Sequence, residues 1–196
     1  MPLEIEIKLK LDDHVAVIKH LRRLRAAHIS TQHETNIFFD HPDRSLLKSN
    51  SGLRVRFETL VKNRKSKIEN RKSPPALLTF KGPPQLTGLR SRNAYDLTCT
   101  PADQLVPLLQ SLGFVQTQLF EKVRDSWQLA NCKIELDTLP HFGRFLEIEG
   151  PSEKAVRAVQ KKLDLLDLPS VKPSYATMIA EHLAAKKRKE LRFKSR

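Results

Sequence analysis

The sequence predicts an α+β chain in which eight antiparallel strands close into a β-barrel or curve strongly, with helices packed outside. Three observations lead there. Eight segments have strand character and only four have helical character. The charged residues of the strands recur two positions apart, so they share a face. The residues between them are apolar, which leaves the opposite face of each strand ready to be covered.

The segments follow in order. Residues 3–11 alternate apolar and charged side chains with period two, the mark of a strand. Asp12-Asp13 then opens a helical stretch to about residue 27, where Val15, Ile18, Leu21 and Leu24 keep a three-to-four spacing. A second strand spans 32–39 and meets the turn signal Asp40-His41-Pro42-Asp43. Strands at 52–61 and 76–81 flank a basic insert, residues 62–75, that ends in Pro74-Pro75. A fifth strand covers 92–98. Residues 103–112 read as a short helix stopped by Gly113. Strands at 114–129, 133–139 and 144–149 complete the eight. A helix over 152–166 opens on Ser152 and Glu153 and sets Ala155, Val156, Val159 and Leu163 on one face. The last helix spans 174–185, after Pro173. One domain, residues 1–185, is expected, followed by a basic and disordered tail, residues 186–196.

Bulk composition narrows the function classes. With 196 residues, 39% hydrophobic and 29% charged, the chain can bury a core of ordinary size. No apolar run approaches the roughly 18 residues that cross a bilayer. Residues 1–6 lack a basic stretch followed by an apolar one, so a cytoplasmic, membrane-free protein is expected. Cys99 and Cys132 have no neighbouring ligand at metal spacing and read as reduced, buried thiols. The histidines are scattered rather than clustered, and Trp127 reads as a packing residue. A net charge of +13 points to an anionic partner. Much of the excess falls in residues 62–72 and in the tail. Such runs read as solvated charge, with nucleic-acid contact through the tail as the alternative.

The strand charges carry the chemistry. Glu4, Glu6 and Lys8 share a face, as do Arg54 and Arg56, Thr79 and Lys81, Lys122 and Arg124, Glu135 and Asp137, and Glu147 and Glu149. One such pair is what any solvent-facing strand shows. The whole set fits strands with an inward charged lining, and buried charge is costly unless it is paired or holds a ligand. Clustered carboxylates are hard oxygen ligands suited to Mg²⁺ or Mn²⁺. The arginines and lysines are phosphate-binding types. Acid for metal beside base for phosphate is the equipment of phosphoryl transfer.

In this order the segments resemble the CYTH family, named for class IV adenylate cyclases and thiamine triphosphatases. Glu4-Ile5-Glu6-Ile7-Lys8 is similar to its opening ExExK signature. Leu53-Arg54-Val55-Arg56, Leu78-Thr79-Phe80-Lys81, Glu121-Lys122-Val123-Arg124, Leu136-Asp137 and Phe145-Leu146-Glu147-Ile148-Glu149 follow in the family's order, and Lys172-Pro173-Ser174-Tyr175 resembles its C-terminal element. The resemblance implies a closed eight-stranded tunnel holding a triphosphate with Mg²⁺ or Mn²⁺. It makes Lys8, Arg54, Arg56, Lys81, Arg92, Lys122 and Arg124 the substrate-binding residues, with Lys8 also catalytic. Glu4, Glu6, Glu147, Glu149, Asp96 and Glu135 become the metal candidates. One departure stands out: in Arg92-Asn93-Ala94-Tyr95-Asp96, Ala94 occupies a position where the family pattern implies a carboxylate.

The expected function is metal-dependent cleavage of a triphosphate, with inorganic triphosphate, ATP or thiamine triphosphate as the small-molecule partner. Cyclisation of ATP to cyclic AMP and pyrophosphate by a class IV adenylate cyclase is the alternative. A non-catalytic triphosphate, polyphosphate or nucleic-acid binding module is the third reading. A homodimer is compatible with each.

Overall fold

In a computed structural model, residues 3–61, 75–85 and 90–194 are described, with backbone alone for Leu3, Glu4, Arg90 and Ser91. Most of the basic insert, residues 62–74, lies outside the described residues. The strands are β1 (Leu3–Leu11), β2 (Ala27–Asp40), β3 (Gly52–Leu60), β4 (Ala76–Gln85), β5 (Arg90–Cys99), β6 (Val115–Leu129), β7 (Cys132–Leu139), β8 (Gly143–Gly150) and β9 (Glu190–Leu191). The helices are α1 (Val15–Arg23), α2 (Ser45–Lys48), α3 (Leu105–Ser111, after a 3₁₀ turn at Ala102–Gln104), α4 (Glu153–Lys162) and α5 (Tyr175–Ala185).

The fold is α+β, one nine-stranded sheet in the order β2-β3-β4-β5-β1-β8-β7-β6-β9. Every pairing is antiparallel except β6 with β9. β2 pairs with β3 on one side and, from Ala27 to Asp40, with β6 on the other.

The strand periodicity sorts the side chains as the sequence implies. Ile7, Leu9, Ile134, Leu146 and Ile148 point outward and are covered by Val17 and Leu21 of α1 and Val156 and Val159 of α4. Leu53, Val55 and Ala76 meet Leu105 and Leu109 of α3 in a second core. Ser152 caps α4 by accepting from Ala155 N at 3.2 Å. Gly150 lets this helix turn back closely over the sheet, since a Cβ there would fall 2.7 Å from Cys132 Sγ.

A third core has a different origin. Phe38, Phe120 and Phe145 have inward parity, in line with Glu34 and Asn36, Lys122 and Arg124, and Glu147 and Glu149. Toward one end, the lining therefore changes from charged to aromatic. There α5 packs Tyr175, Ile179 and Leu183 against Phe120 and Phe145. Ser174 caps this helix, its Oγ accepting from Thr177 N at 3.0 Å.

Several boundaries depart from expectation for local reasons. The first helix stops at Arg23 because Arg25 is left-handed, with φ 55°, and the chain enters β2 five residues early. The helix over 152–166 stops at Lys162 before left-handed Asp164, with φ 61°. α2 is an unpredicted turn of helix fastened by Asp40, whose carboxylate accepts from Leu46 N and Leu47 N, each at 3.0 Å. The expected disorder of the tail is corrected. Glu190 and Leu191 pair in parallel with Leu119 and Phe120 on the part of β6 that β7 is too short to reach. Leu191 is buried in the third core. Among the described residues, no helix is long and apolar enough to cross a membrane.

Candidate functional site: a cavity lined by both signs of charge

The inward faces of the strands enclose a cavity of about 870 Å³. Lys8, Arg54, Arg56, Lys81, Arg92, Lys122 and Arg124 all line it, as do Glu6, Asp96, Glu135, Glu147 and Glu149. Thus the sequence-predicted site residues converge. The side chain of Glu4 lies outside the described residues.

The structure divides the cations into two sets. The first set is neutralised by buried acids. Asp137, fully buried, accepts from Arg124 Nε at 2.7 Å, Arg124 Nη2 at 2.6 Å and Lys122 Nζ at 3.1 Å. Glu34, also fully buried, sits 3.0 Å from Arg56 Nη1, 3.4 Å from Lys122 Nζ and 3.7 Å from Arg124 Nε. Arg124 Nη2 reaches on to Glu147 Oε2 at 2.7 Å. Burial alone would raise the pKa of both acids, but the surrounding cations outweigh it. Asp137 is held far below the usual carboxylate range by Arg124 and Lys122, and Glu34 is lowered to about 2 by Lys122 and Arg56. Burial, reinforced by Arg124, lowers the Lys122 ammonium, while Asp137 and Glu34 raise Arg124 against the effect of burial.

Arg54 belongs to the second set. Its Nη2 donates to Thr79 Oγ1 at 3.0 Å, and Thr79 donates to Asp96 Oδ1 at 2.6 Å. No carboxylate forms an ion pair with Arg54 among the described residues, and its Nε has no hydrogen-bond partner. Burial, and then repulsion from Arg56, pushes its pKa down to about 9. Lys81 and Arg92 stand on the same β3–β4–β5 side of the sheet. Arg92 is braced there, donating to Asn50 O at 2.8 Å and Asn50 Oδ1 at 3.1 Å. Ala94, 5% exposed, pairs in register with Lys81, so the position directly opposite that lysine carries no carboxylate.

Next to β5 in the sheet, β1 and then β8 carry the acids. Glu6 stands opposite Glu149 in register, and Lys8 opposite Glu147. Lys8 Nζ donates to Pro173 O at 3.0 Å, lies 3.6 Å from Glu147 Oε1 and stands 4.1 Å over the Tyr175 ring. Burial, with Asp137 and Glu147 nearby, holds the Tyr175 hydroxyl protonated well above its ordinary range. Glu135 is engaged on β7, accepting from Ser126 Oγ at 2.6 Å and pairing with Lys133 at 2.6 Å. Asp96 lies apart from these acids on β5. Among the described residues, no three His, Cys, Asp or Glu side chains group closely enough to hold a metal ion by themselves.

Glu34 and Asn36 had escaped the sequence reading. Gln32, Glu34 and Asn36 show the period-two signal, but neutral amides on either side of one acid disguise it. Arg44, just before α2, and Arg188, in the tail, also line the cavity and carry no strand signal.

The chain matches the model of the CYTH domain over residues 2–172. A Methanocaldococcus jannaschii protein, provisionally named an adenylate cyclase, is 23% identical over 165 residues, which cover 84% of each chain. The structure of a Pyrococcus horikoshii protein superposes with a TM-score of 0.74 at 23% identity, covering 91% of this chain and 99% of that one. A Hippeastrum protein, provisionally named an adenylyl cyclase and described with a dominant triphosphatase activity, superposes with a TM-score of 0.66 at 17% identity, covering 93% and 96%. The inward charges, the strand order and these matches agree: the chain belongs to the CYTH domain family.

Proposed function

We propose that this protein is a metal-dependent enzyme that holds a triphosphate in a closed eight-stranded tunnel and cleaves it by hydrolysis. The pairing of β2 with both β3 and β6 supports the closed tunnel, because it gives each of the eight long strands two neighbours.

The observation that carries the reading is Arg54. A guanidinium held at the cavity wall with no ion-paired acid among the described residues and Nε unmatched is costly unless an anion completes it. Arginine offers a planar fork suited to phosphate oxygens. Lys81 and Arg92 extend that wall, and no carboxylate at position 94 weakens it.

The acid wall fits a divalent metal. Mg²⁺ usually takes one or two carboxylates and completes its shell with substrate phosphates and water. Glu6 and Glu149, opposed in register, are such a pair of hard donors, with Glu147 two residues along the same face. A third protein ligand is therefore not required. When bound, the metal would neutralise phosphate charge and favour departure of the leaving phosphate.

The protein's own residues would do the rest. Arg54, Lys81 and Arg92 would orient the phosphate chain between the two walls. Lys8, fixed by Pro173 O, Glu147 and the Tyr175 ring, would orient the attacking water and neutralise charge developing on phosphate. The buried Glu34–Asp137 network keeps Arg56, Lys122 and Arg124 in place, so little reorganisation is needed on binding.

Cyclisation of ATP is the second reading. The cavity, about 870 Å³, is larger than a triphosphate, and Phe38, Leu47, Ala176 and Ala180 give one end an apolar lining. Product analysis with Mg²⁺ or Mn²⁺ tests both, using inorganic triphosphate and ATP as substrates and Glu4→Gln/Glu6→Gln as the blank. Orthophosphate lost in the variant supports hydrolysis; cyclic AMP with pyrophosphate supports cyclisation. Neither product, from protein that binds both substrates, would refute the enzymatic reading for them.

A further inference from the structure

Apart from Arg188, the C-terminal segment carries charge that lies outside the cavity lining. Lys186, Lys187, Arg188, Lys189 and Lys194 are exposed, and none has an ion-pair partner among the described residues. A run of charge this dense is ordinarily left loose. Here the backbone beneath it is fastened. Lys189 O accepts from Leu119 N at 3.0 Å, and the next two residues pair with β6. Glu121 then clasps the far side, accepting from Arg192 Nη1 at 2.9 Å and Phe193 N at 3.0 Å. Fixing several like charges side by side costs entropy and adds repulsion; the burial of Leu191 holds the backbone, but among the described residues no acid pairs with these lysines.

The position of the segment supplies a reason. Arg188 lines the same cavity as Arg54, and so does Arg44 beside α2. The cationic lining of the cavity thus includes Arg188, whose chain neighbours are exposed lysines on a fastened backbone. The described part of this row lacks an exposed aromatic ring on which a base could stack; Phe193 is half-buried against His33, with ring centroids 5.9 Å apart. A row of cations without stacking platforms suits a phosphate chain better than a nucleic acid.

We propose that Lys186, Lys187 and Lys189, joined to the cavity by Arg188 and Arg44, bind the outer units of a linear inorganic polyphosphate whose terminal units occupy the cavity. This rests on the triphosphate reading above and assigns its ligand class: a phosphate chain longer than three units.

The test is equilibrium binding of tripolyphosphate and of polyphosphates of about 15 and 45 units, reckoned per chain end. Wild type is compared with Lys186→Gln/Lys187→Gln/Lys189→Gln, which leaves Arg188 and the β9 pairing in place. Thermal melting of the variant checks that it is folded. Wild type should bind the 15-unit chain about tenfold or more tighter than tripolyphosphate, with a steeper salt dependence. The variant should lose most of that gain and keep tripolyphosphate affinity within about twofold, as expected for screened charges outside the cavity. Equal affinity at all three lengths, or an unchanged long-chain gain in the variant, would overturn the proposal. So would equally tight binding of a 5′-hydroxyl RNA of similar charge, which would make the row a nucleic-acid surface. Failure of tripolyphosphate to bind at all would instead strike the triphosphate reading, and the extension with it.

Discussion

Replacing Asp137 with Asn should destabilise the empty protein and yet strengthen its response to a triphosphate. The side chain is fully buried and takes three hydrogen bonds from Arg124 and Lys122. Asn preserves shape but removes the charge, leaving Glu34 as the only fully buried acid among Arg56, Lys122 and Arg124. Removing one partner from a buried ion pair costs about 3–5 kcal/mol. For a chain of this size that is a fall in Tm of roughly 6–20 °C, at 2–4 °C per kcal/mol. The same change adds a net positive charge beside the cavity. A polyanion there should therefore be bound more tightly, and its stabilisation grows with the ratio of ligand concentration to Kd. The assay is thermal melting of both proteins with and without millimolar tripolyphosphate. Asp137→Asn should melt lower when empty and gain more degrees on addition of ligand. An empty-state Tm within a degree or two of wild type would refute the assigned role of the carboxylate. A large fall with no greater ligand response would show that the buried network does not sense the cavity.

Three further outcomes are expected. Arg54→Gln should weaken tripolyphosphate binding by about 10- to 150-fold, the worth of one charged hydrogen bond at 1.5–3 kcal/mol, with little loss of stability; titration calorimetry reads the first and melting the second. Glu34 has a folded-state pKa lowered to about 2 from an unfolded value near 4.5, so its contribution is present above about pH 4.5 and is lost as pH falls toward 2. That is about 3 kcal/mol at 1.36 kcal/mol per unit, visible as a fall in urea midpoint that is steeper in wild type than in Glu34→Gln, where Asp137 and Glu147 still titrate. Leu191→Ala should cost about 2–5 kcal/mol because the side chain is 5% exposed in the core that seats α5, and loss of less than 1 kcal/mol on urea unfolding would contradict the strap.

The cavity was legible in the sequence because its residues obey a simple period. Glu147 and Glu149, or Lys122 and Arg124, are two apart on a strand and cannot avoid sharing a face. Which charges neutralise one another was not legible. Asp137 meets Arg124 because β6 and β7 place those residues directly opposite, and Glu34 meets Lys122 because β2 and β6 do the same across some ninety positions of chain. Register of that kind is set by turns and bulges, not by local composition. The tail misled for a related reason: its composition is that of a solvated run, and only Leu191 and Phe193 interrupt it. Two apolar residues in a basic stretch carry no periodicity, yet a core that already contains Phe120 and Leu183 is enough to hold one of them.

The same register explains why the site is asymmetric rather than merely charged. On β6, each cation meets an acid supplied by a neighbouring strand, so Lys122 and Arg124 enter the cavity already balanced. On β3–β4 the corresponding cross-strand partner is Thr79 beside Arg54, which is not an acid. Arg54 thus leaves one wall without an ion-paired acid among the described residues, while β1, next to β5, and β8 form a second wall that carries Glu6 and Glu149. Binding an anion to the first wall and a cation to the second lowers the energy of both at once, and each ligand makes the other easier to bind. The proposed triphosphate with its divalent ion would meet both demands, which is why the alanine at position 94 matters. A carboxylate there would stand beside Lys81 and cancel part of the wall that Arg54 completes.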